Sequence, residues 1–512
     1  MFIFQHIRWN HGRPRPISLN YRSCLKLILL IMILVGILMM QNDRQRKYQS
    51  YVSSISADSW PNIESSSWSI PDWVLRYNIT DLFDWDFRSK KQWKNCRQSF
   101  EQFRQLLSSE VPPVTVVNDV LLYLIHHREH GCVLNYKTRL PNPIPHPLPR
   151  ARSWNETCSS LNIGQTWSLC QKSPVDLSSQ LPATTHFLTV GLFNAFVDIG
   201  HCHTNVPGTV FTPWATYHFQ RWTKKSCGND GIHKIPSIDS KYRHTQLIDS
   251  IGNYLAAPGH FAPQQLPRLI RLLAISPPSA KVLVAKGLIA DSFMDVLIER
   301  GVITRDRLIP YDDQIYPYHF ANIVYRSESS PYLVNAEHDQ FIHDRTDMQL
   351  LHRVISADPR VRNEKANRII LIKRKEKTSR SIIEHEELLK SIESLLKHSS
   401  IRSKFKIEVF DARGHIREHI RLFRQARVII GPHGAGMMNI AWAVPGTHVV
   451  EIGYTTGMKF PQMYAEMSLH LDHHYWVCKG YGNYQGPIHV DMQDFLYIFG
   501  RIIQELEAES DS

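Results

Sequence analysis

The sequence predicts an α/β protein built of two Rossmann-like parallel-sheet domains facing a cleft, and three observations lead there. From about residue 186, short Val/Ile-rich runs alternate with segments of helical period. The alternation runs through once and then again with new material, which is too much for one sheet unit. In the second run, "RVIIGPHGAGMMN" (427–439) follows β-branched residues with three glycines in six positions, as a strand-to-helix turn that bares its backbone.

The chain has 512 residues, 43% hydrophobic and 21% charged, an ordinary globular balance with room for a large core. Its formal charge is +12, but the first 26 residues already hold Arg8, Arg13, Arg15, Arg22 and Lys26, and the other basic residues are spread out. Without basic runs no nucleic-acid partner is expected; an anionic small ligand or a membrane surface fits better. Cys24–Met40 is the one membrane-type segment, spanning roughly 21 to 25 Å at helical rise, which suits a thin early-secretory bilayer. No small-x-small cleavage site follows it, as a removed signal peptide would require. The basic residues before it outnumber Arg44, Arg46 and Lys47 after it, so the N-terminus is expected in the cytosol and the body in the lumen.

A lumenal body agrees with the sequons at Asn78 and Asn155, and with Cys96, Cys132, Cys158, Cys170, Cys202 and Cys227, which are expected to pair in unassigned connectivity while Cys478 stays alone. "GHCHTN" sets His201, Cys202 and His203 side by side. Neighbours on an extended chain point to opposite faces, so no zinc is expected there. Residues 42–110 read as a stem, and the prolines from Pro141 to Pro149 as an extended connection. The strands then expected are "HFLTVGLFNAFV", "GTVFTPWATYHF", "AKVLVA" and "DRLIPY", with helices from His260 and in "DSFMDVLIERG". The second run gives strands "NRIILIKR", "FKIEVF", "RVIIG" and "THVVEI", with helices between them and a last helix that could fold back on the first domain. The expected domains are a cytoplasmic tail (1–23), a signal anchor (24–41), a stem and disulfide/Pro-rich lead-in (42–158), an N-terminal α/β domain (159–345), a C-terminal α/β domain (346–489) and a C-terminal helix and tail (490–512).

Ligands of open parallel sheets bind at the carboxyl ends of strands. Gly431, Gly434, Ala435 and Gly436 would let backbone N–H groups reach phosphate oxygens there, and His433 would either donate to the ligand or cap local backbone. Glu451, twenty positions past Gly431, stands where a carboxylate meets a ribose in dinucleotide folds, or where a strand meets solvent. Arg374 and Arg380 flank a loop at the same sheet edge and suit a pyrophosphate.

"RVIIGPHGAGMMNIAWAVPGTHVVEI" resembles the signature of glycosyltransferase family 61, with a strand, a GxHGAG-type turn, an apolar helix, a Pro-Gly and a strand ending in Glu. "RIILIKRKEKTSRSIIEHEELL" is similar to the family's arginine loop and "PGHFAPQQLPRLIRLL" to its LPRL helix, so the likeness covers about residues 186–478. The resemblance implies a lumenal type II enzyme of GT-B-like fold in the Golgi or endoplasmic reticulum. Such an enzyme transfers xylose, N-acetylglucosamine or arabinose from a UDP-sugar to a glycan or glycoprotein with inversion. Gln264 and Gln265 stand where the family often has an acidic residue, which leaves His260 first and His433 second as the base. Asp84 and Asp86 of "DWD" fall in the stem, so no metal site is assigned and no cofactor is required, with Mn²⁺ not expected. Two other classes remain open at this stage: an inactive glycan-binding or scaffolding protein, and an NAD(P)-binding oxidoreductase.

Overall fold

Two separate β-sheets account for the alternation of strand and helix. They are seen in a computed structural model that describes residues 21–54, 70–82, parts of 96–137, 149–161, 186–198, 209–217, 239–251, 259, 261–284, 287–310, 318–327, 345–356, 365–458 and 460–511. The first sheet has nine strands: β1 (Thr115–Val117), β2 (Gly131–Val133), β3 (Thr189–Asp198), β4 (Thr209–Phe211), β5 (Ala215–Tyr217), β6 (Arg243–Asp249), β7 (Lys281–Val284), β8 (Leu308–Pro310) and β9 (Tyr318–Ser327). Their order is β1-β5-β4-β3-β9-β6-β7-β8, with β2 also on β3.

This sheet is mixed, which corrects the expectation of a parallel one. β3 pairs antiparallel with β9, β4 and β2, while β9-β6-β7-β8 run parallel. Of the parallel part, β7, β8 and the helices before and between them were legible in the sequence, and β6 and β9 were not. The antiparallel part is a pairing between β3 and a strand some 120 residues later, counted as 318 minus 198.

The second sheet is wholly parallel. Its strands are β10 (Arg368–Ile372), β11 (Lys406–Phe410), β12 (Ala426–Pro432), β13 (His448–Ile452) and β14 (His474–Cys478), in the order β11-β10-β12-β13-β14. Interior strands such as "VII" and "VV" are buried on both faces, as parallel sheets require.

The longer helices are α1 (Tyr21–Ser54), α2 (Leu266–Ile275), α3 (Leu288–Glu299), α4 (His385–Lys397), α5 (Ile416–Arg424), α6 (Met463–His470) and α7 (Met492–Asp511), beside shorter ones at Asp72–Arg76, Val120–His126, Trp154–Ser160 and Arg345–Leu351. Within α1, Ile28–Ser50 is long and apolar enough to cross a membrane, and its side chains from Ile28 to Met40 are largely exposed. α5 starts at a capping box, where the His415 ring accepts from Arg417 N–H and the Glu418 carboxylate accepts from His415 N–H. α7 packs on α4 and β14, and Arg150 binds its Glu505 at 2.7 Å, so the last helix closes on the second sheet rather than on the first domain.

α2 is buried on every side, its arginines included. Arg268 donates to the carbonyls of Ser250 (2.7 Å) and Ile251 (2.9 Å), Arg326 of β9 binds Asp249 at 2.5 Å, and Arg271 meets Asp347 at 3.1 Å. Burial raises the Asp249 pKa against the opposing pull of Arg326 and Arg268. The cluster fastens the carboxyl end of β6 to α2 and β9, since losing one partner would strand a charge without solvent. Between the halves, Trp442 lies 5.9 Å from Phe293, which stacks on Phe261 at 5.6 Å.

Cys96 and Cys132 form a disulfide, Cys158 is also disulfide-bonded, and Cys478 is a buried free thiol. Asn78 and Asn155 are both exposed. Asp84, Asp86, Pro141 to Pro147, Cys170, Cys202, Cys227, the His201 and His203 pair, and His260 lie outside the described residues.

Candidate active site at the carboxyl edge of the parallel sheet

β10, β12 and β13 end side by side, with Gly431 paired to Glu451 and Pro432 to Ile452. The chain leaves β12 through His433, whose N–H donates to the Ile452 carbonyl (3.1 Å), and enters a 3-10 helix, Ala435–Trp442. The expected helix after the turn is thus a tighter one, capped by Gly434.

The three glycines have different work. A Cβ on Gly431 would lie 2.8 Å from Ile372 Cβ, and one on Gly436 2.8 Å from Ile372 Cγ2. These two glycines let the end of β10 pack against the turn. Either glycine to alanine is expected to cost about 1–3 kcal/mol by overpacking, read as a lower Tm or denaturation midpoint; an unchanged midpoint would show that Ile372 can yield. Gly434 has φ +151°, and a Cβ there would overlap Arg374 Nη1, with Arg380 Cζ 3.9 Å away. Here the bare backbone makes room for guanidinium groups.

Arg374 and Arg380 therefore converge on the turn, as their positions in the sequence suggested. Neither has an acidic partner among the described residues, and each Nε is buried without a hydrogen bond. Burial first, and the Arg380 charge second, lower the Arg374 pKa from the ordinary arginine value. Arg380 sits 4.0 Å over the Tyr484 ring, at φ +59°. Its N–H donates to Gly486 O (2.5 Å) and Ser379 Oγ to Tyr484 O (2.6 Å), so the hairpin of Gly480–Gly482 and Ile488–Val490 carries the arginine loop. Two guanidinium groups without an acidic partner among the described residues, beside a bare backbone, have the chemistry to hold an anion.

Glu451 has another place than the ribose assigned to it from its spacing. It is fully buried; Oε1 lies 2.6 Å from His433 Nδ1 and Oε2 accepts from Tyr475 Oη at 2.5 Å. Both oxygens are thus engaged inside the sheet, by His433 and Tyr475. As a carboxylate it accepts the Nδ1 proton of His433, which fixes the tautomer and leaves Nε2 as the lone-pair nitrogen, without a partner among the described residues. His433 keeps 5% of its surface, between the rings of Tyr454 (6.0 Å), Phe460 (5.4 Å) and Tyr464 (5.3 Å). Tyr464 Oη donates to Gly434 O (2.7 Å), and burial followed by Glu451 raises the pKa of that phenol. Tyr475 is raised by the same causes and stays a proton donor.

The glycosyltransferase 61 family model matches residues 199–450, through the turn and up to the residue before Glu451. The chain belongs to glycosyltransferase family 61. In this glycosyltransferase the turn, the arginine loop and the segment entering α2 meet: Gly259, one residue before His260, lies 3.4 Å from the Ala435 Cα by its would-be Cβ and 3.6 Å from Tyr464 Oη. No curated protein matches the chain. Among solved structures it is similar to the dodecameric iron-containing heptosyltransferase TibC in complex with ADP-D-beta-D-heptose, at 11% identity over 52% of this chain and 75% of that one. The TM-score is 0.22, too low to carry an argument.

The sequence reading missed Tyr454, Tyr464, Tyr475 and Tyr484. The last three lie on elements it did not name, and only a count of aromatic residues after the glycine turn would have flagged the region.

Proposed function

We propose that this glycosyltransferase transfers a sugar, xylose or N-acetylglucosamine, from a UDP-sugar to a glycan or glycoprotein with inversion. The enzyme stands in a Golgi or endoplasmic reticulum membrane on α1, with its body in the lumen, and its halves work as the two domains of a GT-B-like arrangement. The observation that supports this best is the chain Tyr475–Glu451–His433, beside a pair of arginines that lack an acidic partner among the described residues.

The acceptor hydroxyl oxygen forms the bond to the anomeric carbon as the bond from that carbon to the UDP phosphate oxygen breaks. The hydroxyl proton passes to His433 Nε2, and the imidazolium so formed is stabilised by Glu451 through Nδ1–H. Charge gathering on the departing diphosphate is met by Arg374, Arg380 and N–H groups at Gly434–Gly436. Glu451 thereby moves from ribose ligand to positioning residue, and His433 takes precedence over His260 as base. Because arginines and backbone supply the positive charge, activity is expected to persist in EDTA; loss that Mn²⁺ restores would contradict this assignment.

The deciding experiment is a donor screen with the purified full chain, reading UDP release with and without acceptor glycans. Turnover of one UDP-sugar and an inverted product are expected. Binding of UDP-sugars with no turnover of any would favour a glycan-binding protein of the same fold, and binding of NADH in place of UDP would remove the reading altogether.

A further inference from the structure

We propose a divalent transition-metal site, suited to zinc, formed by His127, Glu129 and His130 on the first half of the molecule. These residues come from "HHREH", at the end of the helix Val120–His126 and in the 3-10 turn Arg128–His130. None belongs to the glycine turn or the arginine loop, and the site is independent of the transfer reaction proposed above.

The ligand atoms already converge. Glu129 Oε1 lies 3.3 Å from His127 Nδ1 and 3.9 Å from His130 Nε2, and one donor atom from each of the three residues falls within 4.8 Å of the others. Zinc bonds of about 2.0–2.1 Å at tetrahedral angles put neighbouring ligand atoms roughly 3.3–3.4 Å apart. One edge of that tetrahedron is thus formed, and another closes with a shift of about half an ångström.

A second observation is independent of the cluster's spacing. Tyr123 Oη is 2.8 Å from His130 Nδ1, on the far side of the ring from Glu129. By accepting the Nδ1 proton it directs the Nε2 lone pair at the carboxylate, the arrangement in which metal-bound histidines are held by an outer partner. Tyr123 is itself fixed against Tyr217 (5.8 Å), and His130 against Trp214 (5.0 Å), so the second ligand is built into the sheet edge. His127 is about half exposed, which gives a metal access, and the three protein ligands leave the fourth position to water.

The other His/Glu grouping, His448, His474 and Glu509, does not offer the same. Arg427 holds Glu509 and Arg150 lies on His474 Nδ1 at 3.3 Å, so a cation would compete with two guanidinium groups. At the first site Arg128 is exposed and without an ion pair among the described residues. Gly131 starts β2 next to the site, and Cys132 carries the disulfide to Cys96. A metal here would brace the turn between the helix Val120–His126 and the start of β2.

The test is zinc titration by calorimetry, and cobalt titration by visible absorption, on the detergent-purified full chain stripped with EDTA. Wild type is expected to take up one more equivalent of zinc than His127→Ala or Glu129→Gln, to show a tetrahedral cobalt band that both lack, and to gain thermal stability with zinc. Tyr123→Phe should keep the stoichiometry and weaken binding by about 10- to 100-fold. Failure of wild type to bind zinc, or equal uptake by wild type and both variants, overturns the site. UDP release is not read in any arm, so the outcome stands apart from the proposed reaction.

Discussion

His433→Ala is expected to lower kcat by roughly 100- to 10,000-fold, the range of a lost general base, while leaving UDP binding nearly unchanged. The separation follows from the geometry. His433 Nδ1 is committed to Glu451 and its ring is walled by Tyr454, Phe460 and Tyr464, so only Nε2 remains to meet a proton. The proposed diphosphate seat, in contrast, rests on Arg374, Arg380 and backbone groups that do not need the imidazole. Glu451→Gln should give a smaller fall in kcat than His433→Ala. The amide oxygen can still accept from Nδ1–H, but a neutral amide cannot stabilise an imidazolium by charge. Single-turnover kinetics with calorimetric titration of UDP checks both variants. Loss of UDP binding in step with kcat would return His433 to a purely structural role in the turn, and an unchanged kcat would pass the base to another residue, with His260 the next to be tested.

Four of the five strands of the second sheet were legible, all but β14, because the forces that make them are local in the sequence. Strands buried on both faces need continuous apolar runs, so "RIILI", "ARVII" and "HVV" announce themselves, and the amphipathic helices between them do the same at a different period. The first sheet was half legible. β7 and β8 read as strands, but β6 "RHTQLID" and β9 "YHFANIVYRS" carry polar letters whose burial is satisfied only by distant partners. Examples are Asp249 with Arg326, and Gln246 Oε1 accepting from Tyr325 Oη at 2.8 Å. Pairing of β3 with β9 has no local signature, and the parallel assignment failed on it.

At the site, spacing located Glu451 at the right strand end but not its facing. A strand turns successive side chains to opposite sides, so a carboxylate one position from the edge can meet a ligand or the interior with the same letters. What decides is Tyr475 on β14 and His433 at the end of β12, brought to it by pairing on both sides of β13. The arginine loop was found for a sounder reason, since it follows directly from a strand end. Its support, Tyr484 beneath Arg380, comes from a hairpin a hundred residues later.

Arg374→Ala is expected to lower kcat by roughly 100- to 1,000-fold, the cost of one preorganised donor aimed at developing charge, and to raise the donor KM. Arg374→Lys should recover only part of this, because a single ammonium cannot reproduce the fork that meets two phosphate oxygens. Gly434→Ala offers a test of the same contact from the other side. Its Cβ would occupy the place of Arg374 Nη1, at a backbone φ of +151° that an L side chain rarely adopts. Displacing the guanidinium should therefore produce much of the Arg374→Ala loss with the arginine still in the chain. Once Arg374 is gone, the methyl group has room, and Gly434→Ala in the Arg374→Ala background should add only its conformational cost of about 1–3 kcal/mol in stability, with little further loss of turnover. Strong coupling in kcat is thus the signature of a glycine kept small for an arginine. Additive losses in the double variant would mean that the two residues act apart, and that the turn meets the donor through its backbone alone.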